Sequence, residues 1–168
     1  LILTNEIDYD GFVVLHGSDT MSYSASALSF LLLGLNKPVV FTGSQLPIGD
    51  LRTDAKENLI TSVQIASLRN ATNEPILKEV GLYFEYKLYR ANRSIKLSAE
   101  HFEAFSSPNM QPLITAGVHL DYDIRNFIQT KAIQGIRSLS NIPASVYLLK
   151  LHPNMSEWAF RVVEQADG

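Results

Sequence analysis

Three short apolar runs constrain this chain more than any other feature. Gly11-Phe12-Val13-Val14-Leu15, Pro38-Val39-Val40-Phe41-Thr42 and Val80-Gly81-Leu82-Tyr83-Phe84 are apolar almost without a break. They lack the alternation of a strand with one wet face, so they predict strands covered on both sides, as in a parallel sheet. Segments of helical length separate them. The predicted order is βαβαβ with right-handed crossovers, which is an α/β class with a three-layer, doubly wound, mostly parallel sheet.

The separating segments carry their own signals. Met21 to Leu35 places Leu28, Leu31, Leu32 and Leu35 at helical spacing, while Phe30 and Leu33 fill another face, so a largely buried helix is predicted. Ser22, Ser26 and Ser29 form a small-residue face suited to close packing, and Gly34 with Asn36 is the stop signal. Asp54 followed by Glu57 has the form of a capping box, with Leu59, Val63 and Ala66 as the buried stripe of a second helix. Asn70 to Pro75 is a turn cluster, and Tyr89 to Lys96 reads as a polar loop after the third strand. Phe102 and Phe105 mark a short strand before the Ser106-Ser107-Pro108-Asn109 turn. Tyr122 to Ile136 has no clean period, which predicts irregular or hairpin structure. Val146 to Leu151 reads as a strand, and Ser156 to Gln165 as a helix with Trp158 and Val162 inward.

Two of the apolar runs end in polar loops on the same edge. The first is His16-Gly17-Ser18-Asp19-Thr20, the second Gly43-Ser44-Gln45-Leu46-Pro47-Ile48-Gly49-Asp50. Open parallel sheets place ligands at the carboxyl ends of their strands, where helix N-termini offer free N–H groups. Ser18 supplies a hydroxyl, Asp19 a carboxylate, and Gly17 room for close backbone approach. Ser, Asp and Thr are also favoured helix caps, so the first loop has a structural reading beside the chemical one.

Composition narrows the chemistry. The chain has 168 residues, no cysteine and a net charge of −3. Thiol catalysis, disulfides and cysteine-ligated metals are excluded, and the absence of cysteine fits a reducing compartment. No basic cluster suggests nucleic acid, and no apolar run has membrane-spanning length. His16, His101, His119 and His152 are too dispersed for a metal motif. The layout is Rossmann-like, yet neither Gly-x-Gly-x-x-Gly nor a P-loop is present, so a dinucleotide or NTP cofactor is not expected.

Asp10 to Met21 resembles the second signature of the bacterial-type L-asparaginases, the asparaginase/glutaminase family, whose usual form ends in His-Gly-Thr-Asp-Thr. Ser18 stands where that family normally has threonine: the hydroxyl is kept and a methyl lost. Gly43-Ser44-Gln45-Leu46-Pro47 is similar to the family's Gly-Ser-Gln-x-Pro segment, whose backbone groups line the amide pocket. Arg52 to Leu59 resembles its Ser-Asp-Gly-x-x-Asn-Leu pattern, with Ala55 in place of glycine. Asp54 and Asn58 read first as structural, a cap and a loop anchor. The spacing from Arg90-Ala91-Asn92-Arg93 through Lys96 to Phe102-Glu103-Ala104-Phe105-Ser106-Ser107-Pro108-Asn109 is similar to the cytoplasmic type I branch.

The resemblance implies hydrolysis of L-asparagine to L-aspartate and ammonia, with no metal or organic cofactor, in the cytoplasm, by a homodimer or homotetramer. It implies a hydroxyl nucleophile beside a Ser/Thr-Lys-Asp relay at Ser18, Lys96 and Asp19. It implies substrate contacts at Gly17, Ser18, Asp19 and Ser44. A lysine amine, with a pKa near ~10.4 in water, serves as a base only when desolvated or beside another cation. Residues 1–140 would be the central and C-terminal part of the larger N-terminal domain, and 141–168 a linker and the start of a smaller one. The family's first threonine, from a glycine-rich turn, has no counterpart here, which predicts a fragment without full activity by itself. A glutaminase or the tRNA-dependent amidotransferase subunit of the same fold remains an alternative, as does a non-catalytic amino-acid-binding domain.

Overall fold

The computed structural model describes residues 1–128, 137–138 and 149–165. The chain divides into two compact units, Leu1–Ser138 and Leu139–Gly168. In the first, a one-turn helix α1 (Ile2–Asn5) precedes β1 (Phe12–Leu15), α2 (Ser18–Leu31), β2 (Leu32–Leu33), β3 (Val39–Thr42), α3 (Ala55–Ser67) and β4 (Val80–Phe84). Next come β5 (Lys87–Arg90), β6 (Ile95–Lys96), β7 (Phe105–Ser106), β8 (Ile114–Ala116), β9 (Leu120–Asp121) and β10 (Arg137–Ser138). The second unit contributes α4 (Glu157–Glu164).

The three apolar runs pair as expected. β1, β3 and β4 are neighbours in that order and parallel, with Val13 opposite Val40 and Val40 opposite Gly81. Every residue of β3 and β4 is buried, the state that continuous apolar strands require. Side chains alternate across the sheet. Phe12, Val14, Val39, Phe41, Val80, Leu82 and Phe84 pack with Met21 and Ala25 of α2. Val13, Val40 and Tyr83 pack with Ile65 and Ala66 of α3 on the opposite face. The three-layer α/β class therefore holds.

That arrangement corrects the expected crossovers. The strands advance in one direction, β1 to β3 to β4, so two right-handed crossovers would leave both helices on one face. The helices lie on opposite faces, so the two crossovers have opposite hands and one departs from the usual rule. Local sequence carries no signal of hand.

Beyond β4 the sheet turns antiparallel. Part of the predicted polar loop over 89–96 is instead the end of β5, paired antiparallel with β4, and the sheet continues through β8 and β9. The reversal occurs at Glu85 and Tyr86, both left-handed at φ 44° and 65°. That backbone normally selects Asn-Gly, and its absence hides the hairpin. Of the strand expected over 102–105, only Phe105 lies in one: β7 pairs antiparallel with β6.

The helices differ from expectation in detail. α2 starts at Ser18 and stops at Leu31; Leu32 and Leu33 form the two-residue strand β2, and Gly34 reverses the chain at φ 83°. Phe30 and Leu33 are exposed, because only one side of α2 meets the sheet. On α3 the buried stripe is Asn58, Ser62, Ile65 and Ala66, while Val63 faces solvent. Hydrogen bonds to Asn58 rotate this helix so that a polar residue enters the core. On α4, Trp158 is 72% exposed rather than inward, since an eight-residue helix offers little to pack against among the described residues of its own unit. The predicted 146–151 strand (residues 146–148), residues 129–136 of the 122–136 stretch, and the side chain of Val162 lie outside the described residues.

Candidate active site

The loops after β1 and β3 converge. Gly43 makes this possible: a Cβ there would stand 2.3 Å from the His16 carbonyl oxygen and 2.8 Å from the Met21 methyl. Backbone contact that close admits no side chain, so this glycine fixes the distance between the loops. Gly17 and Ser44 line a groove of about 420 Å³ with Leu15, His16, Thr42, Ile48, Ala55 and Leu59.

Asp54 and Asn58 anchor the second loop. The Asp54 carboxylate accepts from the Gln45 amide at 2.9 Å and the Leu46 amide at 3.1 Å. Asn58 donates to the Gly43 carbonyl at 3.0 Å and to Asp54 at 3.1 Å, and accepts from the Glu85 amide at 3.1 Å. The anchor role is present, but the capping box is not. Asp54 makes no side-chain cap bond; the Ala55 amide donates instead to Thr53 Oγ1 at 3.0 Å. Glu57 accepts from the Tyr83 hydroxyl at 2.6 Å and from Thr61 at 2.8 Å. Burial and the Glu57 carboxylate hold the Tyr83 phenol well above its ordinary range, so it stays a neutral donor.

Ser18 and Asp19 occupy the first turn of α2, and neither its Gly17 cap nor another side chain closes that turn. Their polar atoms point elsewhere. Lys96 Nζ donates to Ser18 Oγ at 2.8 Å and to Asp19 Oδ1 at 2.7 Å. The hairpin at 85–86 sends β5 away from the carboxyl edge of the sheet; the chain then runs back along α2, and β6 delivers Lys96 to the helix start. The Lys96 side chain is 13% exposed and that of Asp19 88%. The hydrogen bond and charge of Lys96 hold the Asp19 carboxyl below the ordinary carboxylate range.

All three proposed relay residues thus meet, and Gly17 and Ser44 meet in the adjoining groove. Gln45 is the residue that sequence reasoning passed over. Its side-chain oxygen accepts from the Ser18 hydroxyl at 3.2 Å. Its position directly after Ser44, in a loop already assigned to the site, was the available signal.

The asparaginase N-terminal family model matches residues 2–127. The chain belongs to the asparaginase family. It is 53% identical over 113 residues to L-asparaginase 1 of Escherichia coli K12, covering 67% of this chain and 32% of that protein. It is also 42% identical over 149 residues to the 60 kDa lysophospholipase of Mus musculus, covering 88% of this chain and 25% of that protein. The crystal structure of L-asparaginase I from Vibrio cholerae superposes with a TM-score of 0.83 at 39% identity, over 96% of this chain and 47% of that one. The chain therefore spans about a third of the E. coli protein's length and about half of the Vibrio structure.

Proposed function

We propose that a protein carrying this chain hydrolyses L-asparagine to L-aspartate and ammonia, and that Ser18, Lys96 and Asp19 form its proton relay. The observation that carries the proposal is the Lys96 amine, within hydrogen-bond reach of both partners although it lies 78 residues from Ser18 in sequence. A solvated surface lysine would have no reason to sit there largely buried.

The resting hydrogen bonds suit an ammonium: Lys96 donates to both oxygens. Acting as a base requires that the amine first give up a proton. The other Asp19 oxygen faces solvent, where the α-ammonium of an amino acid can dock. Lys96 can then take a proton from Ser18, which in turn takes one from an attacking hydroxyl. Gly17 and Ser44 offer backbone groups to the carboxamide in the groove between the loops. Hydroxyls, an amine and peptide groups suffice for each of these steps.

We further assign residues 141–168 to a linker and the start of a smaller domain, the whole acting in the cytoplasm as a homo-oligomer. Ammonia release from L-asparagine and from L-glutamine tests the activity. Lys96→Met is expected to lower kcat about a hundredfold or more. Equal turnover by the variant would exclude the relay, faster turnover of glutamine would move the substrate assignment, and amino-acid binding without turnover would favour a binding domain.

A further inference from the structure

Gln45 joins three segments that are distant in sequence. Its backbone amide is held by Asp54 at 2.9 Å. Its side-chain Nε2 donates to the carbonyls of Ala99 at 3.2 Å and His101 at 2.9 Å, in the loop that follows Lys96. Its Oε1 accepts from the Ser18 hydroxyl at 3.2 Å.

The amide cannot turn over. Both carbonyls are acceptors only, so they require the NH2 end, and Oε1 must face Ser18. While Lys96 is an ammonium, Ser18 has one arrangement that satisfies every group: its proton goes to Gln45, and its lone pair receives the Lys96 amine at 2.8 Å; with Oγ held there, the hydroxyl proton need only turn to the amine for the relay to run. Two fixed partners at different angles pin Oγ in one position. This matters because a serine side chain is freer about χ1 than threonine, whose second branch confines it.

We propose that Gln45 is a positioning residue for the relay, holding the Ser18 hydroxyl in register with Lys96 and supplying the restraint that a methyl at this position would otherwise supply. The inference rests on the amidase reading of the cluster. It makes Gln45 most important while position 18 is serine, and less so once position 18 is threonine.

Gln45→Met removes the acceptor and both donors while keeping similar volume. Measured on a protein carrying this chain, it is expected to lower kcat for asparagine about tenfold with KM nearly unchanged. In the Ser18→Thr background the same change is expected to cost less than about threefold. Equal losses in both backgrounds, or a change confined to KM, would overturn the positioning role. Should the unsubstituted protein release no ammonia, the amidase reading fails, yet the inference stays testable by nitrogen-15 NMR of the Lys96 ammonium. Gln45→Met is expected to broaden that signal by releasing Ser18, and Ser18→Thr to restore it. A signal unchanged by Gln45→Met would refute the inference independently of turnover, as would one that Ser18→Thr fails to restore.

Discussion

Lys96 lowers the pH at which its neighbour Asp19 loses its charge, and this can be measured without substrate. Because the amine depresses the Asp19 carboxyl, their pairing contributes stability above the ordinary carboxylate pKa. That contribution is lost as pH falls through the lower folded value. Carbon-13 titration of Asp19 should therefore give a midpoint below that of an exposed aspartate, moving up to the ordinary range in Lys96→Met. An unmoved midpoint would mean that the ion pair is not formed in solution. Gly43 offers the opposite kind of test. Gly43→Ala forces its Cβ against the His16 carbonyl, and overpacking of this kind is expected to cost about 1–3 kcal/mol in urea denaturation. Both residues stood in segments singled out by sequence, but for different reasons. The resemblance picked out Lys96, whereas the need for a bare Cα at position 43 follows only from where the His16 carbonyl lies.

At the level of elements, the parallel half of the sheet was legible and the antiparallel half was not. Buried parallel strands announce themselves as continuous apolar runs. Lys87–Arg90 is only four residues long, carries a charge at each end and sits beside a turn without glycine, so nothing marked its pairing with β4. That turn also carries an identifiable strain. Tyr86 is a non-glycine residue in the left-handed region and is half exposed. Tyr86→Gly is expected to stabilise the fold by about 1 kcal/mol, seen as a higher urea midpoint. A lower midpoint would show that the aromatic ring contributes more than the backbone loses. The far side of the hairpin is held by Arg90, which donates to Glu79 at 3.0 Å and to the Asn126 carbonyl at 2.9 Å. Glu79 is buried and also accepts from the Ile128 amide at 3.1 Å. Arg90→Met removes the charge that pairs with this buried carboxylate and should cost about 3 kcal/mol, seen as a lower urea midpoint.

Taken as a whole molecule, opposite-handed crossovers place α2 and α3 on opposite faces while their entry loops share one edge. The helices wall the sheet on both sides and leave the carboxyl edge as the place where Ser18 and Ser44 segments can meet. Strand order alone, the part that periodicity conveys, would have been satisfied by two helices on a single face. The topology also fixes an order of events. β1 and β3 can pair across a loop of moderate length, but Lys96 finds Ser18 only after β4, its hairpin and the run back along α2 are in place. Closure of contacts so distant in sequence comes late in folding. During refolding, helical circular dichroism should rise before the Lys96–Asp19 pair forms, leaving a population with native-like sheet in which Ser18, Asp19 and Lys96 have not yet met. Within Leu1–Ser138, the last contact to become native is then the one on which the proposed proton relay depends.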